Sequence, residues 1–493
     1  MDMYALLETQ EHERLEFKKA TRSIPRSLWE TYASFANTYG GIIILGVEES
    51  KNHALRCTGV ENAKALVQDI HSTLNNVNKV SKNILNSDAI HTQIFEGKEI
   101  IIIEIPRANR EDKPIFINND LFGGTYRRSG EGDYHCTKEE VQLMVRDASS
   151  HPLDLHLLDE MDLSVLCSDT ITRYRRKLEL LKPTLSWNNL SDELFLYRLN
   201  AVGKSAEDGR YHPTVAGLLM FGYQNEIVKE CPHYFLDYQE QMDPGTRWTD
   251  RIVSNAATWS GNIFDFYTLV IPRLELGLKT PFSLSGMTRV DDTALHHVIR
   301  ESLANTLIHA NYYERRGAVI TRYPKGFTFS NPGILRVPKE DAIQGGLSDP
   351  RNATLFTMFT LLNIGERAGS GLSNIFSVWK AQGWKEPILE EYFQPERTTL
   401  QLIMEEPVRM PDIVEERGRY PGDTGDKAQQ QRQKILTFLE TVDSITNKQV
   451  CILLEVNRSR AYDLLSQMVC ESLLVAEGDK KGRRYRLSRI DSC

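Results

Sequence analysis

The amino-acid sequence predicts an α/β multidomain protein. Three observations support this prediction: a length of 493 residues, strand-like apolar runs that alternate with helical patterns, and one stretch rich in Pro, Gly and charge. This length corresponds to roughly three domains at about 100–200 residues each. The Pro- and Gly-rich stretch has almost no apolar periodicity, which predicts a flexible linker. We therefore expect an α/β domain over 1–148, a helical connector over 149–230, a second α/β domain over 231–404, the linker over 405–429 and a C-terminal domain over 430–493.

The first 148 residues alternate between strand and helix patterns. Residues 15–18 alternate apolar and charged side chains, which predicts a strand, and residues 25–38 carry apolar side chains at helical spacing. Two glycines end that helix, and the apolar run 42–47 predicts a buried strand. Residues 89–94 carry a further strand signal. The Ile-rich run 99–105 predicts a strand inside a sheet that is covered on both faces.

Composition limits the classes of function. The net charge of -8 argues against a chain that coats nucleic acid or an anionic membrane along its whole surface. The charge is uneven, because residues 426–493 hold 12 Lys+Arg against 9 Asp+Glu, which leaves -11 on the rest. The longest apolar run is too short to cross a bilayer, and seven widely spaced cysteines predict reduced, buried thiols. We expect a cytoplasmic protein without a membrane partner and with a basic C-terminal domain.

The C-terminal domain has the pattern of two helices joined by a tight turn. Thr446 and Gln449 form a capping box that opens the first helix, and Asn457 is a good N-cap for the second. Apolar residues at i, i+3, i+4 and i+7 then leave Arg458 and Arg460 at the exposed start of the second helix. This spacing predicts helix-turn-helix geometry with a basic recognition end.

Two strand-like runs follow, and they flank a glycine-bearing basic hairpin that would form a wing. Together with the helix pair, this hairpin resembles the winged helix-turn-helix family over nearly all of residues 430–493. Basic side chains placed along a DNA backbone release counterions, so the resemblance implies DNA contact. The alternative is a protein–protein module with solvated basic tips. The residues expected to contact DNA are Arg458, Arg460, Lys480, Lys481, Arg483 and Arg484.

Carboxylates occur at the strand ends of the N-terminal domain. A period of two places Glu16 and Lys18 on the same face of their strand, and Glu48 and Glu49 leave the end of another strand. Three converging carboxylates can hold a divalent cation such as Mg²⁺ or Mn²⁺, which can activate water at a phosphodiester. Lys18 would then orient the water or contact a phosphate. The alternative is a surface ion pair between Glu16 and Lys18, worth under about 1 kcal/mol.

The order of motifs in this domain resembles the Schlafen AlbA-type DNA-binding family over about residues 4–145. The resemblance implies nucleic-acid binding through Lys18, Lys19, Arg127 and Arg128. In Schlafen nucleases, the positions that match Glu11, Glu16 and Glu49 carry the acidic residues of a metal-dependent ribonuclease. The last of these is aspartate in that family and glutamate here. The matching motifs are Glu11-x-x-x-x-Glu16-Phe17-Lys18, residues 35–41, residues 45–49, Lys113-Pro114 and residues 126–130.

A predicted helix over 292–309 carries the chemistry of the middle domain. Glu301 and Asn305 lie one helical turn apart on one face, so a carboxylate and an amide oxygen can address a magnesium ion together. Farther along, Gly369 and Gly371 stand at the start of another helix, where bare backbone N–H groups can face phosphates. The alternative is a polar helix face without a ligand.

The segment 297–312, followed by residues 331–335, 349–352 and 365–372, resembles the divergent GHKL-type ATPase domain. This resemblance implies an α/β sandwich that binds ATP, with Glu301 as general base and Asn305 as metal ligand. The adenine-reading motif of that family corresponds to residues 330–333, where Asn331 precedes Gly333 in place of an aspartate. A neutral acceptor binds the adenine amine less tightly than a carboxylate does.

The order of the three domains resembles RecG-related bacterial transcriptional regulators. Three hypotheses about function remain open. The first is a DNA-binding regulator whose middle domain senses a nucleotide or dimerises. The second is a metal-dependent nuclease that acts on RNA or DNA in phage defence, with or without weak ATPase activity. The third is a protein that works by dimerisation alone and whose sites are relics. A homodimer is expected in each case from the usual two-fold symmetry of soluble oligomers.

Overall fold

The computed structural model describes most of the chain in two compact units, Met1–Glu405 and Glu406–Cys493. Most of the predicted linker lies outside the described residues, and the predicted domain bounds inside the first unit remain a prediction. The described residues are 12–49, 55–243, 245–278, 284–285, 288–289, 293–365, 371–406, 426–442, 444–454, 456, 458–470, 473–477 and 484–487.

The N-terminal part of the first unit is a small α/β domain that follows the predicted order of elements. A hairpin formed by residues Tyr126–Ser129 and Gly132–His135 lies against the first helix. The elements in chain order are β1 (Leu15–Lys18), α1 (Leu28–Asn37), β2 (Gly41–Leu45), β3 (Val47–Glu49), β4 (Leu55–Cys57), α2 (Ala63–Leu74), β5 (Ile90–Phe95), β6 (Lys98–Ile105), β7 (Tyr126–Ser129), β8 (Gly132–His135) and α3 (Lys138–Asp147).

The sheet of this domain has the strand order β1-β2-β6-β5. Strand β1 runs parallel to β2, and the other neighbours are antiparallel. On β6, Ile101 and Ile103 belong to one apolar cluster, whereas Ile100 and Ile102 belong to a second cluster on the opposite face. Alternate side chains of a strand point to opposite faces, so both faces of the sheet are covered, as predicted.

The remainder of the first unit packs around a six-stranded sheet. In spatial order its strands are Asp250–Val253, Leu236–Glu240, Ala318–Tyr323, Gly326–Pro332, Glu396–Ile403 and Ile388–Phe393. One apolar cluster runs from Leu158 to Leu402, so the predicted connector shares its core with the second α/β region. The elements are α4 (Ser168–Leu181), α5 (Asp192–Arg198), β9 (Val202–Lys204), β10 (Tyr211–Pro213), α6 (Val215–Phe221), α7 (Gln224–Glu230), β11 (Leu236–Glu240), β12 (Asp250–Val253), α8 (Ile263–Glu275), β13 (Leu284–Ser285), β14 (Thr288–Arg289), α9 (Ala294–Ile308), β15 (Ala318–Tyr323), β16 (Gly326–Pro332), α10 (Lys339–Gln344), α11 (Ala353–Leu361), α12 (Gly371–Ala381), β17 (Ile388–Phe393) and β18 (Glu396–Ile403).

The second unit contains the predicted helix pair and hairpin. Its strands form a sheet with the order β19-β21-β20. The capping box is present, because Thr446 N donates to Gln449 Oε1 at 2.8 Å. Ala461, Leu464 and Met468 are fully buried, as their helical spacing predicts. The elements are α13 (Asp426–Thr441), β19 (Ile445–Thr446), α14 (Asn447–Leu454), α15 (Arg458–Cys470), β20 (Leu474–Glu477) and β21 (Arg484–Leu487).

The sequence also predicted that the protein lacks a membrane span and that its thiols are buried. Within the described residues, no helix has both the length and the apolarity needed to cross a bilayer. Four of the described cysteines, Cys57, Cys136, Cys167 and Cys231, are free and buried, as predicted. Burial raises the pKa of Cys136 and of Cys231 to about 12, which keeps these thiols protonated and unreactive at neutral pH.

Candidate functional site

A cavity of about 100 Å³ lies in the middle domain, between helix α9 and the sheet. It brings together side chains that are distant in the sequence, and its wall mixes apolar and polar groups. Such concave sites, with a few polar groups that converge on one space, are typical of small-molecule binding. The residues from α9 and the sheet are Glu301, Ser302, Asn305, Thr306, Phe329, Asn331, Leu389, Thr398 and Leu400.

Helix α9 supplies the polar pair that the sequence predicted. Asn305 Nδ2 donates to Glu301 Oε1 at 3.2 Å, and both side chains line the cavity. The hydroxyls of Ser302 and Thr306 instead donate to carbonyls one turn back along the helix, at 2.7 and 2.8 Å. The carboxylate of Glu301 and the amide oxygen of Asn305 are therefore the ligand-type groups that α9 offers to the cavity.

Gly371, the first described residue of helix α12, lies directly against this pair. A Cβ atom at Gly371 would collide with the Glu301 carboxylate and would lie 3.2 Å from Asn305 Nδ2. A side chain at position 371 would therefore move the Glu301 carboxylate from its present place beside Asn305. Gly369, the other predicted glycine, lies outside the described residues.

The adenine-type motif lies at the end of strand β16. Asn331 is buried and lines the cavity, and its predicted contact with adenine remains a prediction. Gly333 does not line the cavity; it turns the chain with φ +91°, a conformation that favours glycine. Its carbonyl accepts a hydrogen bond from Thr398 Oγ1 at 2.8 Å, so the turn is fixed to strand β18.

The cavity also contains residues that sequence reasoning missed. Thr398, His309, Arg336 and Asp349 all line it. Burial lowers the pKa of His309 to about 4, and the nearby Arg351 and Arg336 act in the same direction, so this imidazole is neutral at pH 7. Thr398 lies on strand β18. The alternation of side chains along this strand is visible in the sequence, but the strands that pair with it could not be predicted.

An ion-pair network joins the N-terminal and middle domains beside the cavity. Asp147, at the end of α3, binds the guanidinium groups of both Arg336 and Arg351. Arg110 pairs with Asp349 at 2.5 Å, and Arg107 pairs with Glu391 at 2.8 Å. The two domains are thus fixed to each other through charged side chains.

The motif 349–352 therefore has a structural role that its sequence did not reveal. Asp349 and Arg351 take part in the interdomain network. Asn352 Nδ2 donates to the carbonyls of Ile308 and Ala310, both at 2.8 Å. It thereby satisfies carbonyl groups at the C-terminal end of α9, the helix that carries Glu301.

In the N-terminal domain, Glu16 sits in a buried polar cluster. Its carboxylate pairs with Lys18 at 2.7 Å, on the same strand face as predicted, and with Arg128 at 2.7 Å. Arg128 also pairs with Asp133 at 3.1 Å, and Thr31 donates to that aspartate at 2.6 Å. This Glu16 cluster, formed by Glu16, Lys18, Thr31, Arg128 and Asp133, fastens strand β1 to the β7–β8 hairpin and to α1.

We expect Glu16→Gln to lower the free energy of unfolding by about 2 kcal/mol, because it removes the carboxylate that pairs with Lys18 and leaves the buried Arg128 with Asp133 alone. Urea denaturation measures the change. Glu48→Gln is the matched control, since Glu48 pairs with Lys19 on the surface, where both side chains are exposed. The control should lose under about 1 kcal/mol. Equal losses in the two variants would contradict a structural role for the Glu16 cluster.

Two of the three carboxylates in the predicted metal set, Glu16 and Glu49, belong to the described residues. Glu11 lies outside the described residues. Among the described residues, no three His, Cys, Asp or Glu side chains are placed to share a metal ion. The assignment of these carboxylates as a catalytic metal site, with Lys18 beside them, remains a prediction.

The residues predicted to bind nucleic acid differ in accessibility. Lys19 is exposed, whereas Arg127 pairs with Glu140 at 3.1 Å and Lys18 belongs to the Glu16 cluster. The Arg128 side chain is only 1% exposed, so it is placed for the internal ion pairs and not for contact with a ligand at the surface.

In the second unit, Arg484 is exposed on β21, and Arg458 begins helix α15. The Arg458 and Arg460 side chains lie outside the described residues, as do three residues of the predicted wing, Lys480, Lys481 and Arg483. DNA contact by this set of residues, and the designation of the unit as a winged helix, remain predictions.

The fold and the cavity define a multidomain α/β protein in which an AlbA-like domain precedes an ATPase-like domain. Residues 11–137 match the family model "Schlafen, AlbA_2". Residues 302–402 match the model "Putative ATP-dependent DNA helicase recG C-terminal", and residues 142–237 match a domain of unknown function, DUF8451. The chain therefore contains a Schlafen AlbA_2 domain and a RecG C-terminal HATPase-type domain, which confirms both resemblances.

Two solved structures are similar to the chain. The DIP2311 protein from Corynebacterium diphtheriae is 15% identical, with a TM-score of 0.39, over 96% of this chain and 95% of that one. The N-terminal domain of a RecG-related protein from Nitrosomonas europaea is 26% identical, with a TM-score of 0.22, over 27% of this chain and 90% of that one. Neither similarity is close enough to assign a function. No curated protein matches the chain significantly.

Proposed function

We propose that this protein is a cytoplasmic, nucleic-acid-binding regulator whose middle domain binds Mg-ATP and thereby controls binding to DNA. The observation that carries the proposal is the cavity beside α9, in which Glu301, Asn305, Asn331 and Gly371 meet. We further propose that the protein acts as a homodimer, in keeping with the usual symmetry of soluble oligomers.

The residues of the cavity fit both the metal and the phosphates of Mg-ATP. Glu301 and Asn305 supply the carboxylate and amide oxygens that Mg²⁺ prefers, and the phosphates of the nucleotide commonly supply further ligands. The bare backbone at Gly371 stands against this pair, and the sequence predicts that a helix starts here, where N–H groups favour anions. A bound magnesium ion would neutralise part of the phosphate charge.

The size and polarity of the cavity also fit an adenine ring. A volume of about 100 Å³ holds roughly seven to ten water molecules, which is close to the number of non-hydrogen atoms in adenine. Phe329, Leu389 and Leu400 offer apolar surface to the ring faces, and Asn331 offers an amide to the ring edge. An aromatic base needs this combination of apolar walls and a few oriented polar groups.

The nucleic-acid part of the proposal rests on the matched AlbA_2 domain and on helix α15. The second unit is connected to the body through a segment whose composition predicts a flexible linker. Residues 426–493 of this unit carry a net charge of +3, in contrast to the acidic body, so a DNA backbone would be drawn to them.

The nucleotide part is tested by calorimetric titration of the full chain with Mg-ATP. Asn305→Ala should weaken binding at least tenfold, because it removes an amide that addresses the magnesium ion. Asn225→Ala is the matched control, since Asn225 is exposed and bonds only to the neighbouring Glu226 among the described residues. A parent protein that binds no Mg-ATP would reject this part of the proposal.

The DNA part is tested with the double variant Arg458→Ala and Arg460→Ala. Each phosphate contact that is lost should lower the slope of log K against log salt by about 1, so duplex affinity should fall and depend less on salt. Lys434→Ala, on the exposed side of α13, is the control for loss of a positive charge. Unchanged affinity and slope in the double variant would exclude α15 from the DNA interface.

A further inference from the structure

A second cavity, of about 60 Å³, lies between the N-terminal and middle domains. The charged residues of its wall are mainly basic. Three cations, Arg107, Arg110 and Lys113, come from the N-terminal domain, and two, Arg336 and Arg351, come from the middle domain. The carboxylates in the wall are Asp147 and Glu396.

The ion pairs around this cavity do not balance its charge. Asp147 is shared between Arg336 and Arg351, while Asp349 and Glu391 pair with Arg110 and Arg107 from outside the wall. Even with Glu396 ionised, the five cations exceed these four carboxylates by one positive charge. Glu314 also interacts with Arg351, but burial raises its pKa to about 7, so below pH 7 this carboxyl is mostly protonated and does not balance the excess. Glu111 lies 3.5 Å from Arg110, but its side chain is 66% exposed and is therefore screened by solvent.

Lys113 is the cation that is least compensated. It is buried, and its ammonium donates to the carbonyl of Asn37 at 2.7 Å. No carboxylate of the described residues forms an ion pair with it. An ammonium has three protons to donate, and buried charges are normally paired, so this one is suited to a bound anion.

We propose that this interdomain cavity binds a small tetrahedral oxyanion of the phosphate or sulfate class. A volume of about 60 Å³ holds roughly four to six water molecules, which matches an anion of about five non-hydrogen atoms. The four guanidinium groups already donate to protein carbonyls and carboxylates. Each guanidinium has five N–H groups and the Lys113 ammonium has three, so further N–H groups remain as the donors that such an anion requires. The proposal is independent of nucleotide binding in the first cavity.

The oxyanion site and the larger cavity beside α9 share part of their walls. Leu335, Arg336 and Val337 line both the oxyanion site and the larger cavity beside α9. Arg107 also donates to the carbonyl of Leu335 at 2.7 Å. An anion bound at the joint would therefore hold the segment that separates the two cavities.

Binding should depend on pH through the buried groups Lys113 and Glu396, and through Glu314 beside them, whose pKa burial raises to about 7. Burial lowers the pKa of Lys113 to about 7, with Arg107 acting in the same direction and Glu396, Glu391 and Asp147 opposing it. Burial raises the pKa of Glu396, against Lys113, Arg351 and Arg107, while Asp147 reinforces the rise. An anion favours the protonated form of these groups, so its affinity should fall as the pH rises through 7.

The test is calorimetric titration of the full chain with sodium sulfate at constant ionic strength, with chloride as the competing salt. Sulfate keeps the same charge near neutral pH, so any pH dependence belongs to the protein. We expect one site per chain, and at least tenfold weaker binding in both Lys113→Met and Arg110→Gln. Lys229→Met is the matched control, because Lys229 is an exposed lysine that pairs with Glu226.

Several outcomes separate the possibilities. Sulfate that binds no better than chloride, or binds equally well to a folded Lys113→Met and to Arg110→Gln, overturns the proposal. If Lys113→Met fails to fold, Arg110→Gln decides alone. Displacement of sulfate by a 5′-phosphorylated oligonucleotide, and not by its 5′-hydroxyl counterpart, would identify a terminal phosphate as the natural ligand. Displacement by inorganic phosphate alone would identify the free anion. A failure of Mg-ATP to bind leaves all of these outcomes unaffected.

Discussion

Asp147→Asn is expected to lower the free energy of unfolding of the first unit by about 3 kcal/mol. The substitution keeps the shape of the side chain but removes the charge that binds Arg336 and Arg351, which are only 8% and 5% exposed. Removing one partner of a buried ion pair costs about 3–5 kcal/mol, because the remaining charge is left uncompensated. Urea denaturation, followed by a probe in each domain, measures the change.

The control for this variant is Glu139→Gln, which breaks another ion pair across the same two domains. Glu139 and Arg315 are exposed, so the loss should stay under about 1 kcal/mol. A loss in Asp147→Asn no larger than in Glu139→Gln would contradict the importance of the interdomain network.

The stability difference between the parent and Asp147→Asn should also depend on pH. Burial opposes ionisation of Asp147, but Arg351 and Arg336 outweigh it and lower the pKa of the carboxyl. A carboxyl with a lowered pKa contributes stability that is fully present above its unfolded pKa of about 3.9. The advantage of the parent should therefore hold down to about pH 4 and disappear as the pH falls through the lower, folded value.

Gly371→Ala is expected to weaken Mg-ATP binding at least tenfold, which corresponds to about 1.4 kcal/mol. The new Cβ atom would displace the Glu301 carboxylate and crowd Asn305. Alanine has a higher helix propensity than glycine, so the melting temperature of the protein should not fall. Calorimetric titration combined with a melting curve separates these two effects.

Gly245→Ala is the control for this substitution. A Cβ atom at Gly245 would make only an ordinary contact with Asp243, at 3.5 Å. Unchanged Mg-ATP affinity in Gly371→Ala would place the nucleotide phosphates away from the start of α12.

Local patterns in the sequence predicted much of the fold. Alternation along residues 15–18 and the Ile-rich run of β6 were sufficient to predict two strands of the N-terminal sheet, because strand periodicity is a local property. The capping box at Thr446 and the helical spacing from Ala461 likewise defined the helices of the second unit. In each case the signal lies within one element and its immediate neighbours.

Contacts between distant segments could not be predicted in this way. Glu16 and Lys18 were correctly placed on one face, but the third member of their group, Arg128, is 112 residues from Glu16. Asp147 meets Arg336 and Arg351 across a domain joint, which no periodicity reveals. The core shared between the predicted connector and the second α/β region depends on tertiary packing in the same way.

The candidate nucleotide site was predicted in part. Helical spacing and the family resemblance led to Glu301, Asn305, Asn331 and Gly371, all of which line one cavity. Arg336 and Thr398 were missed, because each reaches the cavity from a segment without a chemical motif of its own.

The most direct test of the proposed regulator is the affinity of the full chain for duplex DNA, measured by fluorescence anisotropy as Mg-ATP is increased at fixed salt. If the nucleotide controls binding, the Kd for DNA should change at least threefold on saturation with Mg-ATP. The change should be absent in Gly371→Ala and unaltered in Gly245→Ala. A Kd for DNA that is the same with and without saturating Mg-ATP would contradict the proposed coupling of nucleotide and nucleic-acid binding.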